Sequence, residues 1–461
     1  MHYSSISSLS AAIRSRAVSP VEITRHMLSR IASLDEIYKS YVCVTADRAL
    51  SQASLAEKEI MSGRWRGPLH GIPVAYKDIM FTDFAATSAG SRIHDGFQPA
   101  YNATVVDRLE AAGTITLGKV KTTERAYATH HPDVTPPENP WSSEHWSGAS
   151  SSGSGVSVAA GLAFAALGSD TGGSIRFPSA ANGVTGLKPT WGRVSRHGVF
   201  ELAASLDHIG PLARSAEDAG LVLSAIAGMD RNDATSLSAT VPDYASEARR
   251  SVAGMRIGLP RQYATDGVDG AIVEAWSKAA EVFERLGATL VEIDLRGWKE
   301  VAVSWMAICS SETALAHSET YPSRKSEYGD VLAELIETGH RTLATEVAAA
   351  HQVRLAFNNH LTSVFSSVDL MLIPATIWRV PSLSRWDELA AGDNADFIRY
   401  TGPFDMSGSP TITMPGGFDA DGLPIAIQLV GPNLSEGLLV RAGAAFQNAT
   451  SWHAQHPVSL I

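Results

Sequence analysis

Gly168-Ser169-Asp170-Thr171-Gly172-Gly173-Ser174-Ile175-Arg176 is the stretch on which the fold and the chemistry of this chain turn. Two adjacent glycines before a serine leave the backbone unshielded and open to dihedrals that other residues avoid. The N–H groups of Thr171, Gly172, Gly173 and Ser174 could then converge on one spot, as the negative oxygen of a tetrahedral intermediate requires. A second serine run lies upstream, Gly148-Ala149-Ser150-Ser151-Ser152-Gly153-Ser154. Before both comes a lysine in apolar company, His70-Gly71-Ile72-Pro73-Val74-Ala75-Tyr76-Lys77-Asp78. Two serines and a lysine in such settings can make a hydrolase that needs no histidine.

A serine hydroxyl attacks only when a base takes its proton. The chain has 15 histidines, none in a motif that marks a partner for serine, and Gly-x-Ser-x-Gly is absent from both serine regions. A neutral lysine can replace histidine. Its ordinary pKa near 10.4 must fall by roughly 2–3 units for work near neutrality, and Ile72, Val74 and Ala75 supply apolar surroundings.

Composition narrows the function classes. Of the 461 residues, 44% are hydrophobic and 18% charged, with a net charge of −11, which argues against a nucleic-acid surface and gives no reason to expect an anionic membrane as partner. Two distant cysteines, Cys43 and Cys309, make neither a disulfide framework nor a metal motif. The N-terminus lacks the basic-then-apolar order of a secretion signal. The most apolar small-residue stretch, 156–167, is shorter than the roughly 20 residues that cross a bilayer. A cytoplasmic location is expected. No His-Glu-x-x-His helix occurs, and the 148–154 run lacks the lysine that ends a phosphate loop; no metal and no cofactor is expected.

Periodicity gives alternating elements. Ser19 caps a helix with Pro20 in its first turn and Glu22 closing a capping box; Ile23, Met27, Ile31 and Leu34 follow at helical spacing. A second helix covers about 45–61. Residues 72–76 form a short strand with Lys77 at its end. Asn102 caps a helix carrying Val105, Val106 and Leu109, and 115–117 is a strand. Further strands are expected at 256–259, 289–293, 370–373, 411–414 and 425–430, with a helix over 272–286. Alternation of this kind implies an α/β layered domain around a central, mixed sheet. Residues about 296–365 are helical in pattern and could cap that sheet. No stretch looks like a domain boundary.

Gly148–Ser154, the run from Gly168 to Pro178, Gly183-Val-Thr-Gly-Leu-Lys-Pro-Thr190, Gly71–Asp78, Ser205-Leu-Asp-His-Ile-Gly-Pro211 and Gly422-Leu-Pro-Ile-Ala-Ile-Gln428 together resemble the amidase signature family. The resemblance implies one α/β/α domain over 1–461, with a signature core at about 70–215 and a helical, substrate-shaping region at about 296–365. It implies a catalytic triad of Lys77, Ser150 and Ser174, the middle serine preceded by a cis peptide bond. Lys77 would draw the Ser174 proton through Ser150, and the N–H groups of 171–174 would hold the oxyanion. The expected reaction is hydrolysis of a carboxamide C–N bond in a small or aryl-substituted amide, by chemistry that also admits anilides, carbamates and esters. The partner is a small-molecule substrate, and a homodimer is left open. The alternative is the glutaminase subunit of a tRNA-dependent amidotransferase.

Several residues stand apart. Asp170 and Arg176 are expected to hold the loop by charge and hydrogen bonds. Arg125, where many relatives have phenylalanine, reads as a solvated helix charge ahead of a substrate contact. His130 and His131 read as loop residues, Trp141 and Trp146 as packing. Asp405 replaces a common asparagine and could alter pocket polarity.

Overall fold

Lys77 ends one strand of a large sheet, and the loop that follows Asp170 leaves the neighbouring parallel strand. The computed structural model describes residues 1–390 and 394–458; 391–393 and 459–461, within the expected 1–461 domain, lie outside the described residues. In chain order the strands are β1 (Tyr41–Val44), β2 (Pro73–Lys77), β3 (Ile115–Val120), β4 (Ala165–Asp170), β5 (Thr185–Lys188), β6 (His208–Ala213), β7 (Arg256–Leu259), β8 (Thr289–Glu292), β9 (Leu370–Pro374), β10 (Thr411–Phe418) and β11 (Pro424–Val430). They form one eleven-stranded sheet in the order β1-β3-β2-β4-β6-β5-β10-β11-β9-β7-β8. β2 pairs parallel with β3 and β4, and β7 parallel with β8 and β9. The pairs from β4 through β6, β5, β10 and β11 to β9 are antiparallel, as is β1 with β3. The sheet is mixed, as expected.

Helices cover both faces, and β9 displays why. Successive strand side chains point to opposite faces. Leu370 and Leu372 enter one buried cluster with Trp276, Phe283 and Phe446, whereas Met371 and Ile373 enter another with Val301, Trp305 and Ile336. The second cluster belongs to the helices Trp298–Ala316, Asp330–Arg341 and Ala344–Ser367, which occupy the helical region expected at 296–365. No helix among the described residues is long and apolar enough to cross a membrane.

Two helix starts differ from expectation. Ser19 caps Pro20–Tyr38 by accepting from the Val21 and Glu22 N–H groups, but its hydroxyl donates to Glu57, and among the described residues no bond returns from the Glu22 side chain. The helix Thr104–Ala111 has Ala103 at its cap. The Asn102 oxygen is already taken by the Asp83 N–H at 2.8 Å, and its amide donates to Asp107 at 3.0 Å. Strands β1, β4, β5 and β6 are additions to the expected set. β4 is built from Ala-Ala-Leu-Gly-Ser-Asp and β6 contains glycine and proline, so neither carries the β-branched signature; both are wholly buried between neighbouring strands.

Candidate active site

Lys77 is the last residue of β2, and its side chain is completely buried. Its Nζ lies 2.6 Å from Ser150 Oγ, 2.7 Å from Ser169 Oγ and 3.0 Å from Ser151 Oγ. No carboxylate among the described residues bonds it. Burial pulls the Lys77 ammonium down to about 7, against the weaker upward pull of Asp170 and Asp207. Three hydroxyl oxygens around Nζ can serve either charge state of the amine. An ammonium donates three hydrogen bonds, whereas a neutral amine donates two and accepts one. Ser151 sends its hydroxyl proton to the Ser169 carbonyl at 3.2 Å, so it can only accept from Lys77. Ser150 Oγ has no such commitment and can donate to the amine.

Ser150 follows a cis Ala149–Ser150 peptide bond. Its carbonyl accepts from the Thr123 N–H at 3.1 Å, and the next residue, Ser151, donates its N–H to the Ser174 carbonyl at 3.3 Å. The structure therefore brings Lys77 and Ser150 into direct contact and ties Ser174 to the same serine run through its backbone. Among the described residues no protein group bonds Ser174 Oγ; Ser174 is half-buried and lines an open cleft beside Ala149.

The loop from 170 to 176 is held by charge. Arg176 is buried and donates to both oxygens of Asp170, at 2.7 and 2.9 Å, to Asp405 at 2.6 Å and to the Thr401 carbonyl at 2.9 Å. Burial alone would raise the Asp170 pKa; the Arg176 guanidinium overrides it and holds this carboxyl well below the usual range. Asp170 also accepts the N–H groups of Gly173 at 2.7 Å and Ile175 at 2.9 Å. The N–H of Gly173, one of the four expected oxyanion donors, is therefore held by Asp170. The N–H groups of Thr171, Gly172 and Ser174 have no protein acceptor among the described residues.

The open cleft beyond Ser174 spans about 480 Å³, the space open to solvent included, and carries no charged side chain among its described lining residues. Tyr127, Phe177, Leu202, Trp305, Trp386 and Phe397 form its walls. Trp386 stacks on Trp146 at 4.1 Å between ring centroids, so Trp146 packs, as expected, behind this wall. Trp141 also packs, against Phe418, with its indole N–H on the Asn182 carbonyl. Ser169, a Lys77 partner that sequence reasoning misses, lies inside the 168–176 motif itself. Trp305, Trp386 and Phe397 come from distant segments without any local signal.

Four other residues resolve differently from their expectations or add to them. Arg125 is not solvated: it is 4% exposed, lies over the Phe200 ring and bonds His94 Nε2 and the Glu201 carbonyl. Burial lowers its pKa to about 10. Asp405 does not face the cleft; it lies beneath the loop between Arg176 and His208, and burial raises its pKa well above the usual carboxyl value. His130 sits in the loop with Nε2 against Ser152 Oγ at 3.1 Å, its pKa lowered to about 3 by burial and the nearby Lys121 and Lys77. His131 accepts the Asp133 N–H. Among the described residues no group of three His, Cys, Asp or Glu side chains could hold a metal ion.

A family model described as amidase matches residues 22–440. A Mycobacterium bovis protein called putative amidase AmiD is 42% identical over 96% of this chain and 94% of its own length. A glutamyl-tRNA(Gln) amidotransferase subunit from Pseudomonas savastanoi pv. phaseolicola is 36% identical over 99% of each chain. Among solved structures, a chain from a vestigial protein complex bearing on the origins of an s-triazine catabolic enzyme superposes with a TM-score of 0.89 at 28% identity, covering 96% of this chain and 98% of its own.

Proposed function

The chain belongs to the amidase signature family and is an amide-hydrolysing enzyme, and from that premise we propose that it works through an acyl-enzyme on Ser174, with Lys77 as base and Ser150 as the hydroxyl between them. Ser174 Oγ attacks the amide carbon as its proton passes to Ser150 and the Ser150 proton passes to Lys77. The tetrahedral oxygen is received by the free N–H groups near Gly172. The proton returns along the same path to the leaving nitrogen, the C–N bond breaks, and water then releases the acid by the reverse sequence.

The observation that carries this reading is the buried Lys77 Nζ, bonded to hydroxyls and 2.6 Å from Ser150 Oγ. Such a lysine loses its charge near neutral pH and becomes a base matched to its task. The uncharged, aromatic cleft supports a neutral, small or aryl-substituted acyl group, and the same acyl chemistry extends to anilides, carbamates and esters.

A second reading, a glutaminase subunit of a tRNA-dependent amidotransferase, draws on the 36% identity to a protein of that kind. Glutamine carries an ammonium and a carboxylate, and burying either without a partner is costly; the described cleft walls supply none. A fluorophosphonate probe tests the proposal: labelling mapped to Ser174, absent in Ser174→Ala together with turnover, is expected. Full turnover in purified Ser174→Ala would overturn it.

A further inference from the structure

A residue from the helical region at about 296–365 touches the 170–176 loop. Trp305 lies on the Trp298–Ala316 helix. Its indole Nε1–H donates to the Thr171 carbonyl at 2.8 Å, across 134 positions of sequence, and its ring lies against the Gly172 backbone. A methyl group at Gly172 would come within 2.8 Å of Trp305 Cζ2.

A trans peptide unit is planar, so fixing its carbonyl fixes the following N–H on the opposite side. Three successive planes make up this loop. The Gly173 carbonyl accepts the Phe177 N–H at 2.7 Å, which sets the Ser174 N–H from within the loop itself. The Gly172 carbonyl accepts from Thr401 Oγ1 at 2.6 Å, and the N–H of that plane goes to Asp170. The Thr171 carbonyl has Trp305, and the N–H of that plane belongs to Gly172, which has no acceptor among the described residues and lines the cleft.

We propose that Trp305 is a positioning residue for acyl transfer: its indole N–H orients the Thr171–Gly172 plane so that the Gly172 N–H meets the developing oxyanion, while its ring forms the cleft wall. This rests on the Ser174 reading above. It makes the helical region a contributor to transition-state stabilisation as well as to substrate shape.

The test separates the N–H from the ring. Trp305→Phe keeps an aromatic wall, and replacement of the indole by benzothiophene at position 305 keeps the full ring volume; both remove the donor. Steady-state kinetics are measured on each, with inhibition by a trifluoromethyl ketone shaped like the acyl group and by its methyl ketone counterpart. The first adds Ser174 to form a tetrahedral oxyanion; the second binds only as a neutral ligand. The expected result is a fall in kcat of about 10–100-fold, below the loss typical for deleting an oxyanion donor outright. KM and methyl ketone affinity should stay within about threefold, and trifluoromethyl ketone affinity should fall in step with kcat/KM. Equal weakening of both ketones, or a raised KM at constant kcat, would make Trp305 a wall residue only. Unchanged kinetics in the benzothiophene protein would also overturn the proposal. The ketone adduct on wild-type Ser174 reports the underlying serine reading separately: its absence would sink that reading, whatever Trp305 does.

Discussion

Lys77 Nζ stands 2.6 Å from Ser150 Oγ, and neither residue exposes more than 1% of its surface. Ser151 Oγ touches the same nitrogen at 3.0 Å, yet the two hydroxyls are not equivalent. Ser151 accepts the Ser169 N–H and donates to the Ser169 carbonyl, so its bonds are fixed within the fold. Ser150→Ala is expected to lower kcat by about 10²–10⁴, the range of general acid–base assistance. Ser151→Ala should lose less than about tenfold, because it removes a support and not the path. Kinetics of both variants on one chromogenic anilide check the difference.

The proposed mechanism requires the Lys77 proton to be absent at the start of the cycle. With burial holding its pKa at about 7, kcat/KM should rise about tenfold per pH unit below that point and level off above it. Lys77→Ala should be slow and lack this limb, with residual activity climbing only as hydroxide does. A pH–rate series on wild type and variant measures it.

The same shift makes stability depend on pH. The folded pKa near 7 lies below the value of about 10.4 in the unfolded chain. Between those limits the unfolded state binds the extra proton, so this group's contribution to stability rises with pH across that window and is constant below it. Lys188, also lowered to about 7 by burial, acts in the same direction. Lys77→Met should flatten part of the slope; urea unfolding at pH 7 and pH 9 reports it.

Arg176 serves two buried carboxyl groups at once. Arg176→Met strands both and is expected to cost about 3–5 kcal/mol. Asp405→Asn retains an oxygen that accepts from Arg176, and burial already raises the Asp405 pKa, so a change under about 1 kcal/mol is expected. Denaturant titration of the two variants distinguishes these outcomes.

Phe177 and Trp386 form much of the uncharged cleft. Phe177→Ala should raise KM for an aryl amide about 10–100-fold, the equivalent of losing about 1.5–3 kcal/mol of aromatic burial. Glutamine should remain a poor substrate of both proteins. Parallel assays of ammonia release check this.

The sheet is legible where strands are rich in branched apolar residues, as at 370–373 and 425–430. It is obscured at β4 and β6, where small residues, glycine and proline sit between neighbours that supply all the burial. Lys77, Ser150 and Ser174 stand out as candidates in the sequence because their segments resemble the family's motifs. Only geometry reveals that the Gly173 N–H turns to Asp170. Arg125 looks solvated because a single charged letter carries no record of the Phe200 ring beside it. The cleft walls are out of reach: Trp305, Trp386 and Phe397 converge through tertiary packing alone.

Acid-quenched mass spectrometry during turnover of an activated aryl ester or anilide tests the central claim most directly. An acyl adduct on the peptide bearing Ser174, formed and lost at rates compatible with kcat and missing in Ser174→Ala, is the expected result. An adduct on Ser150 or Ser151, or steady turnover in Ser174→Ala, would contradict it.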